Sequence, residues 1–471
     1  MTPTGGEATV DAPDVSSVNA DVSVNFQSHD RIPEHVVESL IRLVWKTREI
    51  ARDNLFGWSQ GFTFSSAEPT ALIQLHGGPC AVIAPVQAYL LKNAIYTSPN
   101  SNADPRWREK NGNEVLQATF LELFSLLDVS HFTLVLPFGN PAKRNADAMV
   151  HDAPENPDSF ERDFHLNLRI QKFSSLNQLQ KFLTDHPTLF SSSFGILRFL
   201  YSLILSKTIQ KIEDDLEDPS EPLIDAAHGH GNQPLTNLII TGRAVNNVWD
   251  DVKEFGGLRL QGIHFRPAVG YLSLLENMRY VEVGFYLKCP QYPIWLLGSE
   301  THLSIIFALI PSLVTSEAEE AAAIRVFKQY DEHGSGFIDT GKLKDVLTQL
   351  DLFREDDYVK SLQDKLDKDN LGLILRSDFL SEFFPHTNKF NNSKPFSVYH
   401  YNGLLRNGDT PVKYHHGRAT ILEVDVDLQI IDIPEDCGNG IDSDSAIVRC
   451  LRTKYPRVQI VWDDNKIPSI N

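Results

Sequence analysis

The chain has 471 residues, with 43 lysines and arginines against 62 aspartates and glutamates, a formal net charge of −19. Its 42% hydrophobic and 22% charged residues make a packed core feasible and exclude wholesale disorder, and the length suits about three domains. The acidic balance excludes a nucleic-acid binder working through its whole surface, because phosphate contacts need clustered cations.

Residues 1–31 are rich in Ser, Val, Asp, Thr and Gly with little apolar periodicity, and read as a disordered tail. They carry neither the basic nor the apolar region of a signal peptide. The longest apolar run, 194–205, contains Arg198 and is too short to cross a bilayer, so no membrane partner is expected. Structure should begin near Pro33, where Val36, Val37, Leu40, Ile41, Val44 and Trp45 fit one helical face. An aromatic turn region, Phe56-Gly-Trp58 and Gly61-Phe-Thr-Phe64, leads into Gln74-Leu-His-Gly-Gly-Pro-Cys80. The paired glycines permit a tight turn, Pro79 pre-sets a helix start, and the apolar stretch after Cys80 predicts a buried helix, kinked or distorted at Pro85. Further helices are predicted over 113–127, 176–183 and 195–205, and a strand over 132–138. Two strand-like runs, 292–297 and 303–309, flank Gly298-Ser-Glu-Thr-His302 and read as a hairpin. From 316 the pattern turns helical, with two helix–loop–helix units to 384, and after Pro385 it becomes strand-like at 396–401, 420–426 and 458–462.

The four cysteines, Cys80, Cys289, Cys437 and Cys450, show no CxxC spacing and are too few for a disulfide framework. A soluble intracellular protein with reduced thiols is expected. Cys80 opens a helix, where the partial positive charge of the N-terminus favours a thiolate. Gln74, across the glycine turn, could offer its amide to a developing oxyanion. His302 heads a strand well downstream, the cysteine-then-histidine order of papain-like hydrolases, and Glu300 stands near it as a candidate third group. Spacing alone leaves open a buried structural cysteine and a surface-turn histidine.

Residues 331–342 align with a twelve-residue calcium loop: Asp331 at position 1, Gly336 at the required glycine, Ile338 at position 8 and Asp339 at position 9. Position 12 is Lys342, where a bidentate glutamate belongs. The second loop, 367–378, keeps Asp367, Asp369, Gly372 and Ile374 but ends on the shorter Asp378. The two isoleucines should pair the loops through a short β contact. These incomplete ligand sets leave calcium open but argue against it, and no cofactor or metal follows from the sequence. His228-Gly-His230-Gly, without ligand-spaced partners, reads as turn structure or a substrate-site loop.

Through Gln74-Leu-His-Gly-Gly-Pro-Cys-Ala-Val-Ile-Ala84 the sequence resembles the MINDY family of deubiquitinases, most closely its third branch, which carries an EF-hand-like region. The match extends through Trp58-Ser-Gln-Gly-Phe62, Pro85-Val-Gln-Ala88, Ser220-Glu-Pro-Leu-Ile-Asp225, Asn247-Val-Trp-Asp250, Gly298-Ser-Glu-Thr-His-Leu303 and Val398-Tyr-His-Tyr-Asn-Gly-Leu404. The resemblance implies Cys80 as nucleophile, His302 as general base and Gln74 at the oxyanion site, with no residue matching a third triad member. It implies an α+β fold: a papain-like cysteine-protease domain over 32–314, an inserted α-helical EF-hand-like module over 315–385, and a β-rich segment over 386–471 packed on the catalytic domain. The implied substrates are ubiquitin and lysine-linked polyubiquitin, of the linkage that marks proteins for the proteasome, in nucleus or cytoplasm. Trp58, Phe62 and Phe64 are candidate walls for a channel taking ubiquitin's Gly-Gly tail. The alternatives are a ubiquitin-chain-binding scaffold with vestigial catalysis and a calcium sensor, the latter opposed by Lys342. Oligomeric state is not determined by the sequence.

Overall fold

The computed structural model describes residues 30–98, 101–137, 164–165, 168–314, 319–331, 335–367, 370–384, 395–405, 411–421, 441–442, 444–463 and 466–471. It is a mixed α/β structure. Residues 1–29 of the expected tail lie outside the described part, but Asp30 and Arg31 are not tail: they form β1 (Asp30–Arg31), because Ile32 behind them is buried in the core. In α1 (Glu34–Trp45) the periodic apolar face predicted from the sequence is buried, Val37 to Trp45. The central helix α2 (Cys80–Ile95) starts at the cysteine and buries nearly every residue, which explains its lack of a polar face. It runs unbroken through Pro85, whose missing N–H leaves the Ala81 carbonyl without its helical donor. Around α2 pack α3 (Gly112–Ser125) and α5 (Gln233–Thr241), with α4 (Gly195–Lys207) touching it more lightly. α4 lies on β2 (Phe132–Leu136), the edge of an antiparallel sheet ordered β1-β3-β2 with β3 (Arg169–Phe173).

A hairpin, β4 (Val252–Phe255) and β5 (Leu258–Gln261), precedes the main sheet. That sheet begins with β6 (Gly270–Ser273) parallel to β7 (Ile294–Gly298), which pairs antiparallel with β8 (Leu303–Ala308) across the expected hairpin. The chain then leaves the sheet. Four helices, α6 (Glu319–Tyr330), α7 (Leu343–Gln349), α8 (Asp356–Leu366) and α9 (Arg376–Phe383), surround a separate small core holding Phe327, Leu347, Leu362 and Phe379. Two short strands, β9 (Phe337–Asp339) and β10 (Leu373–Leu375), join their loops, and Ile338 faces Ile374 as the sequence anticipates.

The remaining strands return to the same main sheet: β11 (Phe396–Tyr401), β12 (His415–Ile421), β13 (Ile441–Asp442) and β14 (Val458–Trp462), in the order β13-β14-β12-β11-β8-β7-β6. The strand expected over 420–426 begins earlier, since β12 starts at His415 with Gly417 and Ala419 alternating inward, and residues 422–426 lie outside the described part. Period-two alternation splits the sheet between two cores. Leu296, Ile305 and Phe307 join the large helical core, whereas Trp295, Leu297, Ile306 and Ala308 meet α10 (Ala446–Arg452) and Trp462 on the opposite face.

Candidate active site

The turn before α2 is built by close backbone approach. Gly78 has φ +115°, and a Cβ there would lie 2.9 Å from Trp58 Nε1 and 3.0 Å from the Gly229 carbonyl. Only glycine tolerates both the dihedral and the crowding. Trp58 Nε1 donates to that same Gly229 carbonyl at 2.9 Å, so the turn is clamped between Trp58 and the 225–231 loop. Gly231 in turn abuts the Ala81 side chain in the first turn of α2. The His228-Gly-His230 motif is therefore turn structure against the helix that Cys80 opens, with His228 bonded to Asp225 and stacked near His230.

Cys80 is the first residue of α2 and is 5% exposed. Burial pushes its thiol up from the ordinary cysteine value; the backbone N–H groups of Leu303, Ala81 and Cys80 itself pull the other way and do not overcome it. The Leu303 contact matters for geometry. It places Leu303, the first residue of β8 and the one after His302 in sequence, near the sulfur.

His302 is 8% exposed. Its Nε2 lies 3.0 Å from the Asn402 carbonyl. A carbonyl can only accept, so Nε2 carries a proton, and in the neutral ring Nδ1 is then the nitrogen able to accept one. The orienting group is thus a main-chain oxygen on the segment after β11. Glu300, the candidate read from the sequence, is instead exposed in the hairpin turn. Ser299 clamps that turn, receiving the His302 N–H at 3.0 Å and donating to its carbonyl at 3.0 Å. The chain's last residues brace both sides: Asn402 Nδ2 donates to the Ser469 carbonyl at 3.0 Å, and Ser299 Oγ bonds Asn471. Asn402 gave no sequence signal, because a backbone carbonyl has no residue signature; only its place in the Val398–Leu404 stretch pointed there.

Gln74 is 2% exposed and tied by its backbone to the Asn402 segment, its N–H donating to Gly403 at 2.8 Å and its carbonyl accepting from Leu405 at 2.8 Å. Its side-chain Nε2 donates to the His76 carbonyl at 2.8 Å, inside the turn leading to Cys80. Two other glutamines hold this segment: Gln60 accepts from Leu75 N–H at 2.7 Å, and Gln87 within α2 accepts from Leu72 N–H at 2.7 Å. Gln74 and Cys80 thus stand on one turn, and His302, from a distant stretch, is tied to the same segment after β11 that pairs with Gln74.

The aromatic candidates separate. Phe62 is not a channel wall: it packs edge-on against Phe120 and Phe199 in the core. Phe64 sits over the Gly112 start of α3. Of the three, only Trp58 touches the cysteine turn, and it does so fully buried. For metals, the described part holds no group of three or more His, Cys, Asp and Glu side chains arranged to bind one. Asp331 and Asp367 instead accept backbone N–H groups of their own loops, from Ser335 and Gly336 and from Leu371 and Gly372.

A family model described as "Deubiquitinating enzyme MINDY-3/4, conserved domain" matches residues 56–334. The chain is 40% identical over 460 residues to the human protein named ubiquitin carboxyl-terminal hydrolase MINDY-3, covering 93% of this chain and 99% of the relative. It is 34% identical to the Drosophila melanogaster MINDY-3 homolog, over 91% of this chain and 82% of the relative. A Xenopus tropicalis protein named probable ubiquitin carboxyl-terminal hydrolase MINDY-4 is 30% identical across 54% of this chain and 34% of the relative. No solved structure matches the chain significantly.

Proposed function

The chain belongs to the MINDY family of deubiquitinating enzymes, and we propose that it hydrolyses isopeptide bonds of lysine-linked ubiquitin chains through a thioester on Cys80. The observation that carries this reading is the His302 imidazole, held at Nε2 by the Asn402 carbonyl beside the Leu303 N–H that meets the Cys80 sulfur. His302 Nδ1 takes the Cys80 proton. The thiolate attacks the carbonyl of ubiquitin's C-terminal glycine, His302 protonates the departing lysine amine, and then activates water against the thioester. The Cys80 N–H and the Gln74 amide, once released from His76, hold the oxyanion. Losing one such donor costs about 10²–10³ in turnover, the loss expected for Gln74→Ala with ubiquitin affinity little changed.

The helix-borne cysteine followed by a histidine just ahead of a strand supports a papain-like arrangement. The helical unit of α6–α9 reads as an EF-hand-like interaction module: Gly336 and Gly372 hold φ of +83° and +73° where calcium loops require glycine, while Lys342 opposes an ion. The preferred chains are those of the proteasome-targeting linkage, met in nucleus or cytoplasm.

The test pairs chains of each defined linkage with a ubiquitin bearing a thiol-reactive C-terminal group, on wild type, Cys80→Ala and His302→Ala. Cleavage and adduct formation in wild type, both lost in Cys80→Ala with folding retained, are expected. Chain binding without cleavage or adduct would replace this reading with a ubiquitin-binding scaffold. Equal cleavage of all linkages would remove the linkage assignment alone.

A further inference from the structure

Lys454, in the turn after α10, has its ammonium enclosed and directed at Cys289, with Nζ donating to Sγ at 2.9 Å. The two residues lie 165 positions apart. Both are rigidly mounted. The Cys289 and Pro290 carbonyls accept from the Arg266 guanidinium at 2.6 and 2.8 Å. The Lys454 N–H bonds the Leu451 carbonyl, and the next residue, Tyr455, donates its hydroxyl to the Leu313 carbonyl at 3.0 Å. The Trp295 and Tyr455 rings flank Nζ at 5.6 and 5.0 Å. Cys289 is partly exposed, whereas Cys80 and Cys450 are buried. Of these three thiols Cys289 is the most accessible to a dissolved oxidant.

We propose that Cys289 and Lys454 form an oxidation-dependent sulfenamide cross-link, a covalent modification site outside the hydrolytic centre. A separation of 2.9 Å is already at or inside the range of a near-attack contact, about 3–3.5 Å. Hydrogen peroxide oxidises the Cys289 thiol to the sulfenic acid and leaves as one water. Lys454 Nζ, as the neutral amine, then attacks the sulfenyl sulfur. The S–N bond forms, the S–O bond breaks, and the oxygen departs as a second water with one proton from nitrogen. Burial of Lys454 pulls its pKa down and so raises the neutral fraction the attack requires, against the opposing influence of Cys289 and with that of Lys288 and Arg266. Two equivalents of a small thiol reverse the link, returning Cys289 and Lys454 and yielding one disulfide. The link staples the segment entering β7 to the segment between α10 and β14, closing the two ends of the second core.

The test treats the full chain, carrying Cys80→Ala so that thiol does not compete, with graded hydrogen peroxide, followed by peptide mass spectrometry. The expected product is a joined pair of Cys289 and Lys454 peptides, lighter than their sum by two hydrogens and split by dithiothreitol. It is lost in Cys289→Ser and in Lys454→Arg, which keeps the charge without an attacking amine. Oxidised protein should also melt higher than reduced protein, and Cys289→Ser should abolish that shift. Unlinked sulfinic or sulfonic Cys289, or a linked product heavier by an oxygen atom, would overturn the proposal.

Discussion

Cys80 rests as a thiol because burial disfavours the anion more than three backbone N–H groups favour it. For an acid whose pKa is raised by folding, the fold favours the protonated form. The residue's contribution to stability is then complete below the unfolded pKa and fades as pH rises through the folded one. Alkylation of Cys80 by iodoacetamide, followed by peptide mass, should therefore inflect at higher pH than in the unfolded chain. An inflection at or below that of the unfolded chain would mean the resting site already holds a thiolate. The residue that behaves oppositely is His400, fully buried, with Nε2 3.1 Å from Ser304 Oγ. Burial, then His415 and His302, pushes it down to about 3 from 6.5. It stays neutral in the fold while the unfolded chain takes up a proton, so its contribution is present above about pH 6.5 and is lost as pH falls toward 3. Urea unfolding of His400→Gln between pH 7 and 4 should show a shallower loss of stability than wild type; an equal slope would exclude this residue as a source of acid sensitivity.

At the scale of elements, the site depends on how the 74–79 turn feeds α2. Adding a Cβ at Gly78 meets Trp58 and the Gly229 carbonyl in a dihedral that disfavours side chains, which costs roughly 1–3 kcal/mol. Gly78→Ala should lower the melting temperature and cut kcat/KM by about 10²-fold through displacement of Cys80. Gly77→Ala is the control, since nothing lies within 4 Å of its added Cβ. Matching losses in the two variants would show that chain flexibility, not the Gly78 clamp, sets the geometry. The same turn explains why the histidine's partner was not legible in the sequence. Asn402 contributes a carbonyl, and its side chain serves the C-terminal residues instead. The Cys80 helix start, by contrast, was legible because Gly-Gly-Pro-Cys before an apolar run carries local dihedral and periodicity information.

Across the whole molecule, one sheet unites segments separated by the α6–α9 unit, whose own small core is distinct from the two cores flanking that sheet. The helical unit can thus differ in ligand chemistry without disturbing the site. Its loops satisfy Asp331 and Asp367 internally, and Lys342 stands where calcium needs a bidentate carboxylate. Millimolar calcium should leave the melting temperature of the full chain unchanged by calorimetry, whereas a rise that saturates with calcium would show a working site.

The sequence by itself determined the elements whose signal is local: the buried helix after Cys80, the amphipathic α1, the hairpin around His302 and the paired isoleucines of the helical unit. These follow from periodicity, turn residues and loop spacing within a few residues. Tertiary structure alone decided what depends on long-range approach. It set β12 in register with β11, drew Asp30 and Arg31 into a sheet, and sent Phe62 into the core rather than to the site. It also put a main-chain carbonyl behind His302 and a lysine against Cys289. Side-chain identity says what a residue can donate or accept, but backbone carbonyls are chemically alike at every position, and only packing selects which one faces the imidazole.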